Sequence, residues 1–133
     1  MTSSFKFHIV SGLFFACFAV IIGAFAAHGL KPLLSIKEIN NFETGVKYQF
    51  YHSFALILVG FLSFHIPSQV SKFKWAGFCF FLGILLFSGS LYLLSTQSIF
   101  NISIPLLGPI TPLGGVLLIL GWALSIIGVL KSR

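Results

Sequence analysis

Four long apolar stretches, separated by short polar segments, dominate the pattern of residues along the chain. About 20 predominantly apolar residues cross the roughly 30 Å hydrocarbon core of a bilayer as an α-helix, and each stretch is long enough to do so. None shows the strict alternation of a β-barrel strand. The pattern therefore predicts an all-α fold, an integral membrane four-helix bundle that forms one transmembrane domain over 1–133. The predicted spans are about 7–29, 46–66, 75–96 and 111–130.

The first stretch ends in AFAAHGLKP, from Ala24 to Pro32. Its small-x-small pattern resembles a signal-peptide cleavage site, but the apolar run before it exceeds the roughly 7 to 15 residues of a signal-peptide core. Gly29 suits the left-handed position after a helix, and Pro32 prevents the helix from resuming. This predicts a permanent first span that stops at Gly29.

The polar segment SIKEINNFETG follows the first span. Ser35 and Glu38 form the S-x-x-E pattern of a capping box, and apolar residues then recur at helical spacing. This predicts a short amphipathic helix over about 35–43 that lies in the membrane interface. The same segment is also compatible with an extension of the second span, bent at Gly45.

Composition supports a membrane environment, because 57% of the residues are hydrophobic and only 8% are charged. The basic residues are scattered at the ends of the apolar runs, which is not the basic stripe of a nucleic-acid-binding protein. Their asymmetry predicts a membrane protein with both termini in the cytoplasm, whose partner is the lipid bilayer. The predicted cytoplasmic end holds Lys6, Lys72, Lys74, Lys131 and Arg133; the other end holds Lys31 and Lys37, offset by Glu38 and Glu43.

Small residues recur on one face of the first and fourth spans. In lipid, close approach of helix backbones through such residues supplies the packing contacts that hold helices together. The partner is either another helix of this chain or, as a homo-oligomer or larger membrane-protein complex, a second molecule. The residues concerned are Gly12, Ala16, Gly23, Gly114, Gly121 and Gly128.

Polar side chains inside the spans gather in the half of the bundle away from the termini. Such residues are costly in hydrocarbon, so they are candidates for a functional site. A network that only fixes how the helices pack would have the same sequence pattern, and both interpretations stay open. The candidates are His28, Thr44, Tyr48, Gln49, His52, Ser88, Ser90 and Tyr92.

No carboxylate lies inside a span, so neither a hydrolase triad nor a metal centre is predicted, and no residue is assigned a catalytic role. Haem held between His28 and His52 is the sharpest cofactor hypothesis. His52 would lie about 9 Å below the membrane boundary, whereas His28 lies at the boundary, and this mismatch in depth argues against one shared porphyrin. The expectation is a protein without a cofactor and, on balance, not an enzyme. His8 and His65 are expected at the cytoplasmic interface.

Four motifs resemble the YgdD/YwdK-type family of small multi-pass membrane proteins, a domain-of-unknown-function family. They are AFAAHGL in the first span, TGVKYQFYHSFAL in the second, FSGSLY in the third, and ITPLGG with GWAL in the fourth. The resemblance covers nearly the whole chain in the same order. It implies a multi-pass, mostly bacterial inner-membrane protein, and it supplies no reaction and no catalytic residue.

The expected function is that of a non-enzymatic membrane protein, either an accessory or scaffold subunit or a binder of a lipid or other hydrophobic ligand at the polar cluster. One alternative is a redox or proton-handling component that carries haem or quinone near His28 and His52. The other is a small channel or transporter, which the scarcity of charge along the spans disfavours.

Overall fold

The computed structural model describes residues 3–132, which form four long α-helices with short connections. No strand occurs among these residues, so the predicted all-α fold is confirmed. The helices are α1 (Ser3–Phe25), α2 (Ile36–His65), α3 (Val70–Phe100) and α4 (Leu107–Leu130).

Three segments of the described chain are long and apolar enough to cross a membrane: Ser3–Leu30, Pro67–Phe100 and Leu107–Leu130. They contain the predicted first, third and fourth spans. Helix α2 is long enough at 30 residues, but its first half is rich in polar and charged side chains. A crossing by residues 46–66 therefore stays a prediction.

The end of α1 differs from the prediction, because the chain continues through a π-helical turn over Ala26–Leu30. The backbone N–H of Lys31 donates to the carbonyl of Ala26 at 3.0 Å, a bond that spans five residues. No glycine has a positive φ among the described residues, so the prediction of a left-handed Gly29 was wrong. Gly29 instead makes room for an aromatic ring, since a Cβ there would lie 2.9 Å from the ring of Phe25.

Helix α2 begins at the predicted capping box, in which the Ser35 hydroxyl accepts from the Glu38 N–H and the Glu38 carboxylate accepts from the Ser35 N–H at 2.8 Å. The bond from the Ser35 backbone N–H, and to a smaller extent the bond from its hydroxyl, lowers the pKa of Glu38 below its usual value. Residues 36–43 are helical, but they continue without a break into the rest of α2 and do not form a separate short helix. A position in the membrane interface stays a prediction. Burial of Ile39 and Phe42 against the end of α1 holds this part of α2 on the bundle.

Successive helices pack against each other, with α2 and α3 in the centre of the arrangement. Helix α1 packs mainly on α2, and α4 packs mainly on α3, so α1 and α4 lie at opposite sides. The core between α2, α3 and α4 is formed by residues such as Leu56, Val59, Phe80 and Leu118. Open clefts lie between α1 and α3 and between α2 and α4.

The predicted small-residue positions lie mostly at these helix contacts. A Cβ at Gly114 would lie 2.3 Å from the backbone nitrogen of Phe87, and one at Gly12 would lie 2.7 Å from the carbonyl oxygen of Ser53. Gly23 faces Val46, while Ala16 is half-buried. The rings of Phe80 and Phe73 cover the remaining two positions, Gly121 and Gly128. These positions thus contact helices of the same chain, and an oligomer stays a prediction.

We expect Gly114→Ala to destabilise the bundle by about 1–3 kcal/mol, because its Cβ meets a helix backbone that cannot move aside. Gly115→Ala is the matched control, since its Cβ would lie 3.6 Å from the Phe87 ring at ordinary contact distance. It gains up to about 1 kcal/mol of helix propensity. Thermal unfolding in detergent, followed by circular dichroism, measures both. Equal stability of the two variants would contradict the close α3–α4 contact.

Candidate functional site

Gln49 joins three helices through its side-chain amide. The side chain is only 4% exposed. Its Nε2 donates to the carbonyl oxygen of Phe15 in α1 at 2.9 Å, and its Oε1 accepts from the hydroxyl of Tyr92 in α3 at 2.7 Å. The amide is therefore satisfied inside the chain, as burial in hydrocarbon requires. Phe15 was not a predicted site residue. Every residue has a backbone carbonyl, so the sequence cannot indicate which one accepts this bond.

His52 links α2 to α4 and has both ring nitrogens engaged. Its Nδ1 lies 2.8 Å from the carbonyl oxygen of Tyr48, and its Nε2 lies 3.2 Å from Nε1 of Trp122. An indole N–H can only donate, so Nε2 accepts and the ring proton lies on Nδ1. Trp122 was missed as a site residue, although it stands in the GWAL motif. The aromatic rings of His52 and Tyr48 also stack, with centroids 5.8 Å apart.

Hydroxyl groups join further pairs of helices. The buried Ser88 hydroxyl in α3 donates to the Gly45 carbonyl of α2 at 2.7 Å. The hydroxyls of Ser90 in α3 and Thr111 in α4 lie 2.6 Å apart. The Thr44 hydroxyl, in contrast, donates to the Asn40 carbonyl of its own helix and so does not link two helices. Most of the predicted polar residues thus contact a neighbouring helix rather than an empty space.

His28 does not join this network. It lies exposed on the π-helical turn, and its ring makes no hydrogen bond with the described residues. His52 would have to give up its bond with Trp122 before it could bind iron, so the geometry gives the haem hypothesis no support. No group of three His, Cys, Asp or Glu side chains in residues 3–132 is arranged to hold a metal ion.

The cleft between α2 and α4 contains a cavity of about 570 Å³ beside this network. Its polar lining comes from α2 and its apolar lining mainly from α3 and α4. Tyr48, Tyr51 and Trp122 are 40%, 58% and 40% exposed, so the cavity opens toward the surroundings of the bundle. Its lining includes Tyr48, Tyr51, His52, Phe87, Ile119 and Trp122.

Comparison with known proteins gives similarity over almost the whole chain. A family model described as "Protein of unknown function (DUF423)" matches residues 22–115. The chain is 42% identical to a UPF0382 membrane protein of Staphylococcus epidermidis, over 95% of this chain and 97% of the relative. It is 41% identical to the UPF0382 membrane protein YwdK of Bacillus subtilis, over 95% of this chain and 98% of the relative. No solved structure matches.

We expect Gln49→Leu and Tyr92→Phe each to destabilise the bundle, and the double variant to lose less than the sum. The Tyr92 hydroxyl and the Gln49 amide share one bond, and such bonds between membrane helices contribute about 0.6 kcal/mol and at most about 1.7 kcal/mol. A double-mutant cycle of unfolding free energies in mixed micelles measures this coupling. Tyr51→Phe is the control, because the Tyr51 hydroxyl has no partner in residues 3–132. Strictly additive losses would argue against the bond.

Proposed function

The chain belongs to the DUF423 family of membrane proteins, and from that premise we propose that it is a non-enzymatic binder of a lipid or lipid-like amphiphile. The proposed site is the cleft between α2 and α4. In this proposal the protein lies in the bacterial inner membrane with both termini in the cytoplasm. The excess of lysines at the end of the bundle that holds the termini supports this orientation.

The observation that carries the proposal is the division of the cleft into a polar and an apolar part. The hydroxyls of Tyr48 and Tyr51 have no hydrogen-bond partner among residues 3–132, so they are free to bond to a ligand's polar group. The side chains of Phe87 and Ile119 offer the apolar body of that ligand a surface. Membrane ligand sites combine a mainly apolar wall with a few polar groups in this way.

The lining of the cleft favours binding over chemistry. His52 is its only imidazole, and the Nε2 of that ring already accepts from Trp122. A general base needs a free lone pair within reach of the proton that it removes. The hydrogen bond also holds the Trp122 indole across the cleft, where its ring forms part of the wall.

A diazirine-labelled stearic acid in proteoliposomes tests the proposal. We expect saturable crosslinks to peptides that contain Tyr48, Tyr51 or Ile119, reduced about tenfold in Gly115→Leu, a loss equivalent to about 1.4 kcal/mol of binding free energy. Gly115 lines the cavity, and a Cβ there would lie 3.6 Å from the Phe87 ring. A leucine at this position therefore fills the cleft without a clash with the backbone of a neighbouring helix.

Gly89→Leu is the matched control, because Gly89 lies on the other side of the bundle and a Cβ there would meet nothing within 4 Å. This variant should be crosslinked in the α2–α4 cleft as strongly as the unaltered protein. Labelling that does not saturate with excess unlabelled stearic acid, or that is the same in Gly115→Leu, would contradict a binding site in this cleft.

A further inference from the structure

The cleft between α1 and α3 is a continuous apolar groove on the opposite side of the bundle. It contains three cavities of about 220, 620 and 190 Å³. Phe7 lines the first two, and Phe14, Phe15 and Leu85 line the last two, so they adjoin one another. From Phe7 to Ile22 the groove runs about 22 Å along α1. This length exceeds one half of a hydrocarbon core about 30 Å thick.

Two lysines border the groove near the start of α1. Lys6 lines the largest cavity and Lys74 lines the first one. Neither ammonium group has a hydrogen-bond or ion-pair partner among residues 3–132. Lys72, which lies close by in sequence, differs because its Nζ donates to Oε1 of Gln69 at 2.6 Å. The groove therefore has two uncompensated positive charges at one end.

The first cavity is rich in hydrogen-bond donors. Ser3 and Ser4, whose hydroxyl groups can donate, line it together with Lys74. His8 also lines it and is 3% exposed; its ring lies near the backbone of Lys74, but neither ring nitrogen reaches hydrogen-bond geometry with residues 3–132. Its ring packs against Gly77, where a Cβ would lie 2.5 Å from Cε1. An anion at this cavity would supply the acceptors that the surrounding donors lack.

The charges distinguish a lipid from a second copy of this chain as the occupant. The chain has only two carboxylate side chains, Glu38 and Glu43, and both lie in the first turns of α2, at the other end of the bundle. A second copy packed side by side in the same orientation would bring lysines next to lysines. An anionic headgroup provides the opposite charge, and the apolar groove accommodates the chain attached to it.

We propose that the α1–α3 groove binds an anionic phospholipid, with one acyl chain along Phe7, Phe14, Phe15 and Leu85 and the phosphate beside Lys6 and Lys74. This site is independent of the α2–α4 cleft, which lies on the other side of the bundle. Its specificity resides in the headgroup, because the two cations and the donors of the first cavity contact that part of the lipid.

Native mass spectrometry of the protein, released from nanodiscs of equal phosphatidylglycerol and phosphatidylcholine, tests the proposal. The unaltered protein should retain phosphatidylglycerol in preference to phosphatidylcholine. Because a lysine near an anionic lipid contributes about fivefold in affinity, Lys6→Gln and Lys74→Gln should each reduce the preference by about that factor. The double variant should show almost none. Lys72→Gln is the charge-matched control and should keep the preference.

Two further variants separate this site from the α2–α4 cleft. Gly89→Leu places a side chain in the third cavity and should lower retention of both lipids, whereas Gly115→Leu should leave phosphatidylglycerol bound. The proposal is overturned by equal retention of the two lipids, or by an equal loss in Lys72→Gln, which would indicate bulk charge. It is also overturned by a homodimer that forms with the groove free of lipid. Circular dichroism of each variant checks that its helices form.

Discussion

The hydrogen bonds of Gln49 are the interaction on which the arrangement of the helices depends. A buried amide in hydrocarbon finds its partners within the protein or destabilises it. Gln49 meets this requirement with one donor bond to α1 and one acceptor bond to α3. These two bonds fix the rotation of α2 about its own axis. That rotation turns His52, three residues later, toward Trp122 of α4.

The pairing of neighbouring helices leaves the α1–α3 and α2–α4 clefts open. Glycines allow α1 to approach α2 closely, and α4 to approach α3, at Gly12 and Gly114. Helices α1 and α4 stay apart at opposite sides, and α2 contacts α4 through the shared apolar core and the bond between His52 and Trp122. Each cleft is walled largely by aromatic and aliphatic side chains with a few polar groups, which suits an amphiphile better than a water-soluble ligand.

The four long helices and the capping box at Ser35 follow from run length, periodicity and local pattern, so the sequence was enough to predict them. The partners of the polar side chains were not predictable in this way. Gln49 bonds to a backbone carbonyl, which every residue has, and Trp122 faces His52 only because of how α2 and α4 are rotated. His8 was expected at the cytoplasmic interface, and that depth stays a prediction. Its burial within the bundle was not predictable, because it depends on Gly77, which lies opposite and leaves space for a ring. His28 was grouped with the polar cluster by depth alone, and the π-helical turn leaves it outside.

The central claim is that the polar side chains inside the bundle form hydrogen bonds between neighbouring helices. Nitrogen-15 NMR of the His52 imidazole in lipid tests this claim most directly. The account predicts a proton on Nδ1 and an unprotonated Nε2 that accepts a hydrogen bond from Trp122. The chemical shift of Nε2 should therefore change when Trp122 is replaced by Phe. A proton on Nε2, a doubly protonated ring, or an Nε2 resonance unaffected by that replacement would contradict it.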